Sequence, residues 1–581
     1  DVTLANTATF QTDANLTIDG TVTGTGNLTK TGTAALVLAD DATHSGGTTV
    51  SAGTLQIGTG GTTGWLAHGI TNNGTVAFNR ADSVAYANVI SGTGALTQMG
   101  PGTLTLEAAQ TYGGATNVNG GTLQINVANA LPATTAVTLA NAAGATLDPN
   151  GLDQEIRTLS GGGASGGAVA NSTPDTSVLT IRPSGTDSAT FSGTIDGAIR
   201  LVVAGNKTAP SYTAPRQRFA GTANTYTSGT VVDGGTLLAR TDGSLGAVPA
   251  SFDPMNITLR NNGTRRSEAD NYVLTLDANR GILLGAGGGA LAAGFTANVT
   301  VQGTIAGDTG DNLTILENRN TVVLTGNNAY LGDTIINGPG TNGIGKLQIG
   351  AGGTTGTLGA GNVTNNGQLT FNRSDATHYD GAISGSGTLT QAGAGTLTLN
   401  GPSSYTGATT VAAGALAVDR SIAASGLSTV NAGGTLQGNG TVGPTLVADV
   451  GHVAPGNSIG TLTISGGMTI NGTLDIEYDD SLAGQKIDLL TVSGDLVISS
   501  ATVDFADIST GPTGLSGVAY IFATYGTLNG GLGGSFATVV DLPSGYTIDY
   551  AYNGNTIALV PEPTAALLAA LGLLGLLRRR R

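Results

Sequence analysis

The carboxylates that could do chemistry are concentrated in one short stretch of the chain. Asp475, Glu477 and Asp479 occupy every second position, which places them on one face if the segment is a strand. Converging carboxylates are what a glycan-cleaving site or a Ca²⁺ site requires. A solvated strand face explains the same spacing, and the neighbouring Asp480 and Asp488 do not decide between these interpretations. The three residues are therefore weak metal candidates, and we predict no catalytic residue and no cofactor.

The remaining nucleophiles and metal ligands give no better site. The chain has no Cys, which excludes disulfides and thiolate metal centres. No Ser lies in a nucleophile-elbow sequence. The four histidines are scattered, and His44 takes a position that Tyr fills in other copies of a repeat, so packing explains it better than catalysis. We predict that the protein is not an enzyme.

The charge balance disfavours nucleic acid as a partner. Lys and Arg total 22 against 38 Asp and Glu, a net charge of −16. Without Glu562 and the four C-terminal arginines, 18 basic residues face 37 acidic ones, which gives −19 for the body. So acidic a surface repels polyphosphate, and we expect no nucleic-acid partner. The basic spots at Arg265–Arg266 and at Arg216 and Arg218 are interpreted as solvated surface.

The elements that position these residues are short strands. Of 581 residues 95 are Gly, only 10% are charged and 39% are hydrophobic. A mixture of Gly, Thr, Val, Leu and Ile with few Lys, Glu or Met disfavours helices and suits strands joined by tight turns. Collagen is excluded because glycine has no three-residue period.

Internal repetition is the strongest signal in the sequence. Residues 55–106 and 347–399 match at most positions once a single residue is inserted, and a shorter unit, SGTG-x-LT then GTLTL, recurs more often. Within the unit an aromatic anchor precedes a Gly/Thr patch, and its copies are Tyr112, Tyr226, Tyr330 and Tyr405, with His44 in the first copy. Short strands at a regular repeat allow a propeller, an array of sandwiches or a solenoid. We predict a solenoid of about 20–25 residues per coil, capped within 1–20 and 480–560, with separate β-sandwich domains as the alternative.

These units resemble the autotransporter-associated β-strand repeat of bacterial passenger regions. The resemblance covers most of 15–440, and the segment 451–462 is similar to one that closes many such passengers. It implies an all-β fold, a right-handed parallel β-helix over 1–450 with a β-rich end over 451–560.

The C-terminal tail has three parts. Pro561, Glu562 and Pro563 precede an uncharged apolar run over 564–577, and Arg578, Arg579, Arg580 and Arg581 follow. As a helix the run would span roughly 21 Å, short of the ~30 Å hydrocarbon core unless the arginines snorkel or the bilayer thins. We predict a short transmembrane helix with its arginines facing inward.

This tail resembles the PEP-CTERM sorting signal of exported proteins in some Gram-negative bacteria. The resemblance covers 561–581 and implies recognition and processing by exosortase, a membrane enzyme, with Pro561, Glu562 and Pro563 as the recognised residues. A plain anchor with a stop-transfer cluster is the alternative.

Together these observations favour an exported, non-enzymatic surface or extracellular-matrix protein. A β-helix stalk would be anchored at least transiently in the inner membrane, with an exosortase-type enzyme and extracellular polysaccharide as partners. Two alternatives stay open. One is an adhesin that binds glycans or cell surfaces through its flat faces or the loops in 60–90 and 350–380. The other is a β-helix carbohydrate-active enzyme that uses Asp475 and Glu477.

Overall fold

The computed structural model describes residues 1–206, 215–267, 274–294, 297–317, 319–340, 343–509, 515 and 517–562. The chain divides into two compact units, the first comprising Asp1–Val322 and Gly326–Gly332, the second Val323–Thr325 and the residues from Asp333 on. Each is a parallel β-solenoid, with about 21 turns in all. Over the described ranges the only helical elements are short 3₁₀ turns at Asp242–Leu245 and Asn529–Gly531.

The strands of the first unit stack into ladders that run from coil to coil. The longest ladder contains Leu16–Ile18, Ala35–Leu38, Thr54–Ile57, Thr75–Phe78, Ala95–Gln98, Thr116–Val118, Ala136–Leu139, Thr158–Gly161, Ser188–Phe191, Arg216–Phe219, Thr236–Ala239, Gly263–Ser267, Gly289–Ala292 and Leu313–Ile315. The other strands are Val2–Leu4, Val22–Gly24, Ala8–Gln11, Leu28–Thr31, Thr48–Val50, Ile70–Asn72, Ile90–Ser91, Val84–Tyr86, Thr103–Leu106, Thr122–Ile125, Thr146–Asp148, Ala168–Ala170, Thr194–Asp196, Gln154–Ile156, Ser177–Ile181, Ile199–Ala204, Thr230–Asp233, Asp253–Arg260, Arg280–Leu284, Ile305–Gly307, Leu274–Leu276 and Val299–Val301.

The second unit is built in the same way, and the strand Val322–Leu324 contains the unit boundary. Its ladders are formed by Thr334–Ile336, Val363–Asn365, Ile383–Ser384, Lys346–Ile349, Gln368–Phe371, Thr388–Gln391, Thr409–Val411, Ser428–Val430, Thr445–Val447, Met468–Ile470, Asp495–Val497, Thr527–Leu528, Thr377–Tyr379, Thr396–Leu399, Gly414–Val418, Gly434–Gly438, His452–Pro455, Thr473–Tyr478, Thr502–Asp507, Thr538–Val540, Ser421–Ile422, Thr441–Val442, Thr461–Ile464, Leu489–Val492, Tyr520–Thr524, Tyr546–Tyr552 and Thr556–Pro561.

The predicted coil period and strand patterning are confirmed. Ladder partners Ile70 and Ile90 lie 20 residues apart along the chain, within the predicted range. In Thr103–Leu106 both leucines are buried while both threonines remain partly exposed. Each coil therefore contributes inward aliphatic side chains to a continuous core, and neighbouring coils satisfy its backbone hydrogen bonds. The right-handed sense of the helix stays a prediction.

The corners explain the glycine content. A Cβ on Gly100 would lie 2.2 Å from the carbonyl oxygen of Arg80 in the preceding coil, so only glycine lets the two backbones approach this closely. Buried polar side chains then bind the corner carbonyls. Gln98 donates through Nε2 to the oxygens of Gly100 and Gly102 at 2.9 and 3.0 Å, and Lys30 donates through Nζ to three carbonyls within 3.0 Å.

The described C-terminal end carries the expected cap. Tyr546–Tyr552 and Thr556–Pro561 form an antiparallel hairpin, and the second strand pairs antiparallel with Tyr520–Thr524. This is the point at which the parallel stacking of the ladder stops. An antiparallel hairpin ends parallel coil stacking because it reverses the chain at the ladder edge.

The structure corrects the interpretation of one pair of basic residues. Arg265 and Arg266 are 0% and 7% exposed, so their interpretation as solvated surface is wrong. Arg216 and Arg218 are partly exposed. In the described residues no helix has the length and apolar character needed to cross a membrane, and the expected helix over 564–577 lies outside them.

Candidate functional site

Outside the regular coils, one loop is held in place by a buried side chain. This is the loop 58–66, which we name the first loop. Arg80 lies beneath this loop and is 8% exposed. It donates from Nη1 to the carbonyl oxygen of Gly64 at 2.6 Å and from Nη2 to the carbonyl oxygen of Thr62 at 2.5 Å. Its Nε and Nη2 also bind both carboxylate oxygens of Asp82, at 2.8 and 2.6 Å. These charge-assisted hydrogen bonds hold the loop against the coil, and they lower the pKa of Asp82.

The second repeat copy builds the same clamp under the loop 350–358, the second loop. Arg373 donates to the oxygens of Gly356 and Thr354 at 2.7 and 2.6 Å and binds Asp375 through Nε and Nη2. The pKa of Asp375 is lowered by Arg373 in turn. A clamp present in both copies is a structural part of the repeat.

The first loop carries an aromatic side chain that the second lacks. Trp65, the single Trp of the chain, is half-buried and meets Tyr86 edge-on at 5.8 Å between ring centroids. Tyr86 in turn contacts Phe78 at 5.4 Å and donates to the oxygen of His68. The position of Trp65 corresponds to Thr357 in the second loop.

Trp65 borders a hollow of about 260 Å³ at the surface of the first unit. The hollow combines an indole, a carboxylate, a guanidinium and hydroxyl groups on one small surface. Its lining residues are Asp41, Thr62, Thr63, Trp65, Arg80 and Val84. Such a mixture suits a small polar ligand that has one apolar face, since aromatic side chains with a wet edge are typical of recognition surfaces.

A histidine pair lies close to this loop. His44 occupies the tyrosine position as predicted: its Nε2 lies 3.1 Å from Thr48 Oγ1, as the Tyr112 hydroxyl lies 2.5 Å from Thr116 Oγ1. His68 meets His44 edge-on at 4.4 Å. Burial, with the neighbouring His68, lowers the pKa of His44 to about 4, so the packed form is neutral.

The weak metal candidates do not converge. Asp475 and Glu477 are half-buried outward positions of the strand Thr473–Tyr478, and Asp475 Oδ2 lies 2.9 Å from His452 Nδ1. Asp479 follows the strand, where its Oδ1 accepts from the backbone and side chain of Ser481. Across the described ranges no group of three His, Cys, Asp or Glu residues is placed to hold a metal. The surroundings of Asp475 are those of a strand-face side chain in hydrogen-bond contact with a histidine of the preceding coil.

Asp488, noted in the sequence only as a neighbour, has a structural role. It is 1% exposed, and its two oxygens accept from the backbone of Gly460 and Glu477, each at 2.8 Å. Burial raises the pKa of Asp488 to about 7. This carboxylate fixes the chain where it re-enters the solenoid after the 479–488 loop.

A second hollow lies at the hairpin of the second unit. It measures about 410 Å³ and is lined by a glycine-rich turn together with Tyr525 and Tyr550, whose hydroxyl and carbonyl groups bond at 2.6 Å. The hollow has no charged lining residue, so it offers less to a polar ligand than the first loop does.

The sorting residues are described only at their start. Pro561 ends the last strand, and Glu562 is exposed with its backbone donating to the oxygen of Gly545 at 2.9 Å. Pro563 and Arg578, Arg579, Arg580 and Arg581 lie outside the described residues. The PEP-CTERM resemblance therefore stays a prediction.

Sequence reasoning included the first loop among candidate binding regions but did not single out Trp65. The signal was available, because aligning the two repeat copies pairs Trp65 with Thr357 and His68 with Ala360. The other two differences in this segment, Thr59 with Ala351 and Ala67 with Gly359, involve small side chains only. Differences between copies that share a clamp point to function more directly than the shared residues do.

The repeats of this chain match a known repeat family. Five segments match the passenger-associated-transport-repeat, at 28–57, 96–125, 216–239, 320–338 and 389–418. The chain is 34% identical over 458 residues to the adhesin BmaC autotransporter of Brucella suis (biovar 1, strain 1330). The alignment covers 71% of this chain and 12% of that protein. It is 51% identical over 82 residues to an extracellular serine protease of Serratia marcescens, covering 14% of this chain and 8% of the relative. The chain thus spans only a small part of each curated relative.

Among solved structures, the Haemophilus influenzae Hap adhesin aligns over 92% of this chain and 64% of its own, with 12% identity and a TM-score of 0.34. That likeness is too distant to argue from. The coil geometry confirms the predicted parallel β-solenoid, and the five matched segments show that it contains repeats similar to the passenger-associated-transport-repeat.

Proposed function

We propose that the protein is an exported surface adhesin, a β-solenoid stalk that binds one saccharide unit of a surface glycan at Trp65. The observation that carries this proposal is the Trp65 hollow on the first loop. Sugars present a face of C–H groups that packs on an indole and a rim of hydroxyls that hydrogen-bond to carboxylates. Asp41, exposed at the hollow, supplies such a carboxylate.

The size and rigidity of the hollow support a small ligand. About 260 Å³ lies below the roughly 300–1,000 Å³ of common small-molecule pockets, which fits a single sugar ring better than a larger ligand. Arg80 fixes the first loop before binding, so little ordering entropy opposes association. Relatedness to the Brucella adhesin supports the adhesive role.

The proposal is tested by replacing Trp65 with the residue of the second loop. We expect Trp65→Thr to lose most glycan binding and cell attachment, while circular dichroism and thermal unfolding stay close to wild type. Thr357→Ala, the matched control in the second loop, should bind as wild type. Undiminished attachment by Trp65→Thr would contradict the proposal.

We further propose that the tail directs sorting, with exosortase-type processing at Pro561, Glu562 and Pro563 and transient inner-membrane anchoring through 564–577. Support comes from the three-part sequence and from the place of Glu562, exposed immediately after the last strand. Mass spectrometry of the mature surface protein in its native host should find the arginine cluster removed. A Glu562→Ala variant should retain it, and an intact cluster on the mature wild type would contradict processing.

The absence of enzymatic activity stays part of the proposal. Asp475, the strongest catalytic candidate, is paired with His452 and has Asp504 as its ladder partner in the next coil. Asp475→Ala should leave glycan binding unchanged. Glycan cleavage by the purified wild type that this variant loses would favour the carbohydrate-active alternative.

A further inference from the structure

One inward column of the first unit contains a guanidinium where the fold calls for an aliphatic side chain. In the longest ladder, Leu237, Arg265 and Leu291 are consecutive partners in three successive coils. All three are 0% exposed. Arg265 therefore extends into the interior of the solenoid alongside leucines, where a charge is costly unless something neutralises it.

The donors of this side chain are unused. Nε, Nη1 and Nη2 of Arg265 make no hydrogen bond to any described residue. The same holds for Oγ of Ser267, two residues along on the same side of the strand. Three guanidinium nitrogens and a hydroxyl, all from the strand Gly263–Ser267, are thus buried without an acceptor among the described residues. Buried polar groups in native proteins nearly always have a partner, so this cluster points to a ligand.

The charged groups nearby in the described part of the chain do not supply that partner. Arg280, also 0% exposed, donates to Asp242 Oδ1 at 2.9 Å, to Asn256 Oδ1 at 2.8 Å and to backbone oxygens of the 3₁₀ turn. Asp242 is thereby engaged by Arg280, and it also accepts from the backbone of Asp277. Counted over the described residues, these two guanidinium groups and one carboxylate leave one positive charge in excess. Burial lowers the pKa of Arg265 to about 9, with Asp242 acting in the opposite direction.

We propose that Arg265 and Ser267 form an internal binding site for a small monovalent inorganic anion of the halide class. A halide neutralises the excess charge and accepts from several donors at once, which a water molecule does only in part. The two side chains of the proposed site, a guanidinium and a hydroxyl, can both donate to an anion, and neither is a carboxylate that would repel it. The site is independent of the Trp65 hollow and acts on the stability of the first unit.

The test uses the intact chain and bromide as the probe. Crystals grown in bromide should give an anomalous peak within hydrogen-bond distance of the Arg265 guanidinium. At fixed ionic strength, replacing gluconate by bromide should raise the Tm of the wild type by about 2–5 °C. Arg265→Leu, which restores the residue type of its ladder neighbours, should lose this response.

The control is Arg260→Leu, which removes a partly exposed ion pair with Asp233 and should keep the bromide response. Ordered water without an anomalous peak at Arg265, or an equal bromide response in Arg265→Leu, would overturn the proposal. If Arg265→Leu fails to fold, the anomalous peak in the wild type decides alone.

Discussion

The two copies of the long repeat, 55–106 and 347–399, share a scaffold and differ at its loop. Both place an arginine under a loop, with donor–acceptor distances that agree within about 0.1 Å. In the sequence alignment of the two copies, Trp65 and His68 of the first correspond to Thr357 and Ala360 of the second. The repeat therefore fixes how the loop is held, whereas the side chains displayed on the loop differ between the copies. Function is then to be sought in the differences.

The largest loss of stability is expected when the arginine clamp that both copies share is removed. Arg80→Met and Arg373→Met each remove charge-assisted hydrogen bonds from a buried side chain and leave loop carbonyls without donors. We expect each variant to destabilise its own unit by about 3 kcal/mol. Denaturant unfolding and hydrogen exchange of the two loops measure this. A large effect in only one copy would contradict the equivalence of the clamps.

The next effect depends on pH and concerns His44, which takes the tyrosine position of the shorter repeat unit just before the first long copy. The pKa of His44 is lowered to about 4, so the unfolded state binds the extra proton between about pH 6.5 and 4. Stability from this group is complete above pH 6.5 and is lost as the pH falls, by at most about 3 kcal/mol. His44→Tyr, which installs the residue of the other copies, should flatten this dependence. Thermal unfolding between pH 4 and 7 tests it, and an unchanged slope in the variant would assign the acid sensitivity elsewhere.

A smaller effect should be equal in both copies. Gln98 and Gln391 each donate from Nε2 to two corner carbonyls at 2.9–3.0 Å. Substitution by Ala leaves those oxygens without that donor and should cost about 1–3 kcal/mol in each unit. Unfolding free energies of the two single variants provide the measurement. A cost confined to one variant would show that the corners are not equivalent.

The smallest effect on stability is expected at the difference itself. Thr357→Trp places an indole on an already clamped loop, and we expect less than about 1 kcal/mol of change. If the clamp is only a platform, this variant should gain a measurable glycan affinity at the second loop. Isothermal titration in the Trp65→Thr background isolates that gain. No gain would indicate that Asp41 and its surroundings contribute as much as the indole.

Much of the fold was predictable because the repeat states it many times. Period-2 alternation in strands such as Thr103–Leu106 and the tyrosine position filled by His44 both follow from local pattern, and both are confirmed. Arg265 was misjudged because a charged residue on a short strand carries no local sign of which face is inward. The column it joins is defined by Leu237 and Leu291, residues 28 and 26 positions away.

The site was only partly predictable for a related reason. A hollow depends on how the loop carrying Trp65 lies against Asp41, which belongs to a preceding part of the chain. The spacing of Asp475, Glu477 and Asp479 correctly placed two carboxylates on one strand face. It did not reveal that the strand ends before Asp479.

The most direct test of the central claim uses the single Trp of the chain as its own reporter. Intrinsic fluorescence of the purified protein is titrated with saccharides released from the surface to which its host attaches. Because all indole emission comes from Trp65, we expect a saturable shift in emission for at least one saccharide class, at concentrations that also inhibit attachment. Attachment that is inhibited by saccharides while Trp65 emission stays unchanged would contradict it.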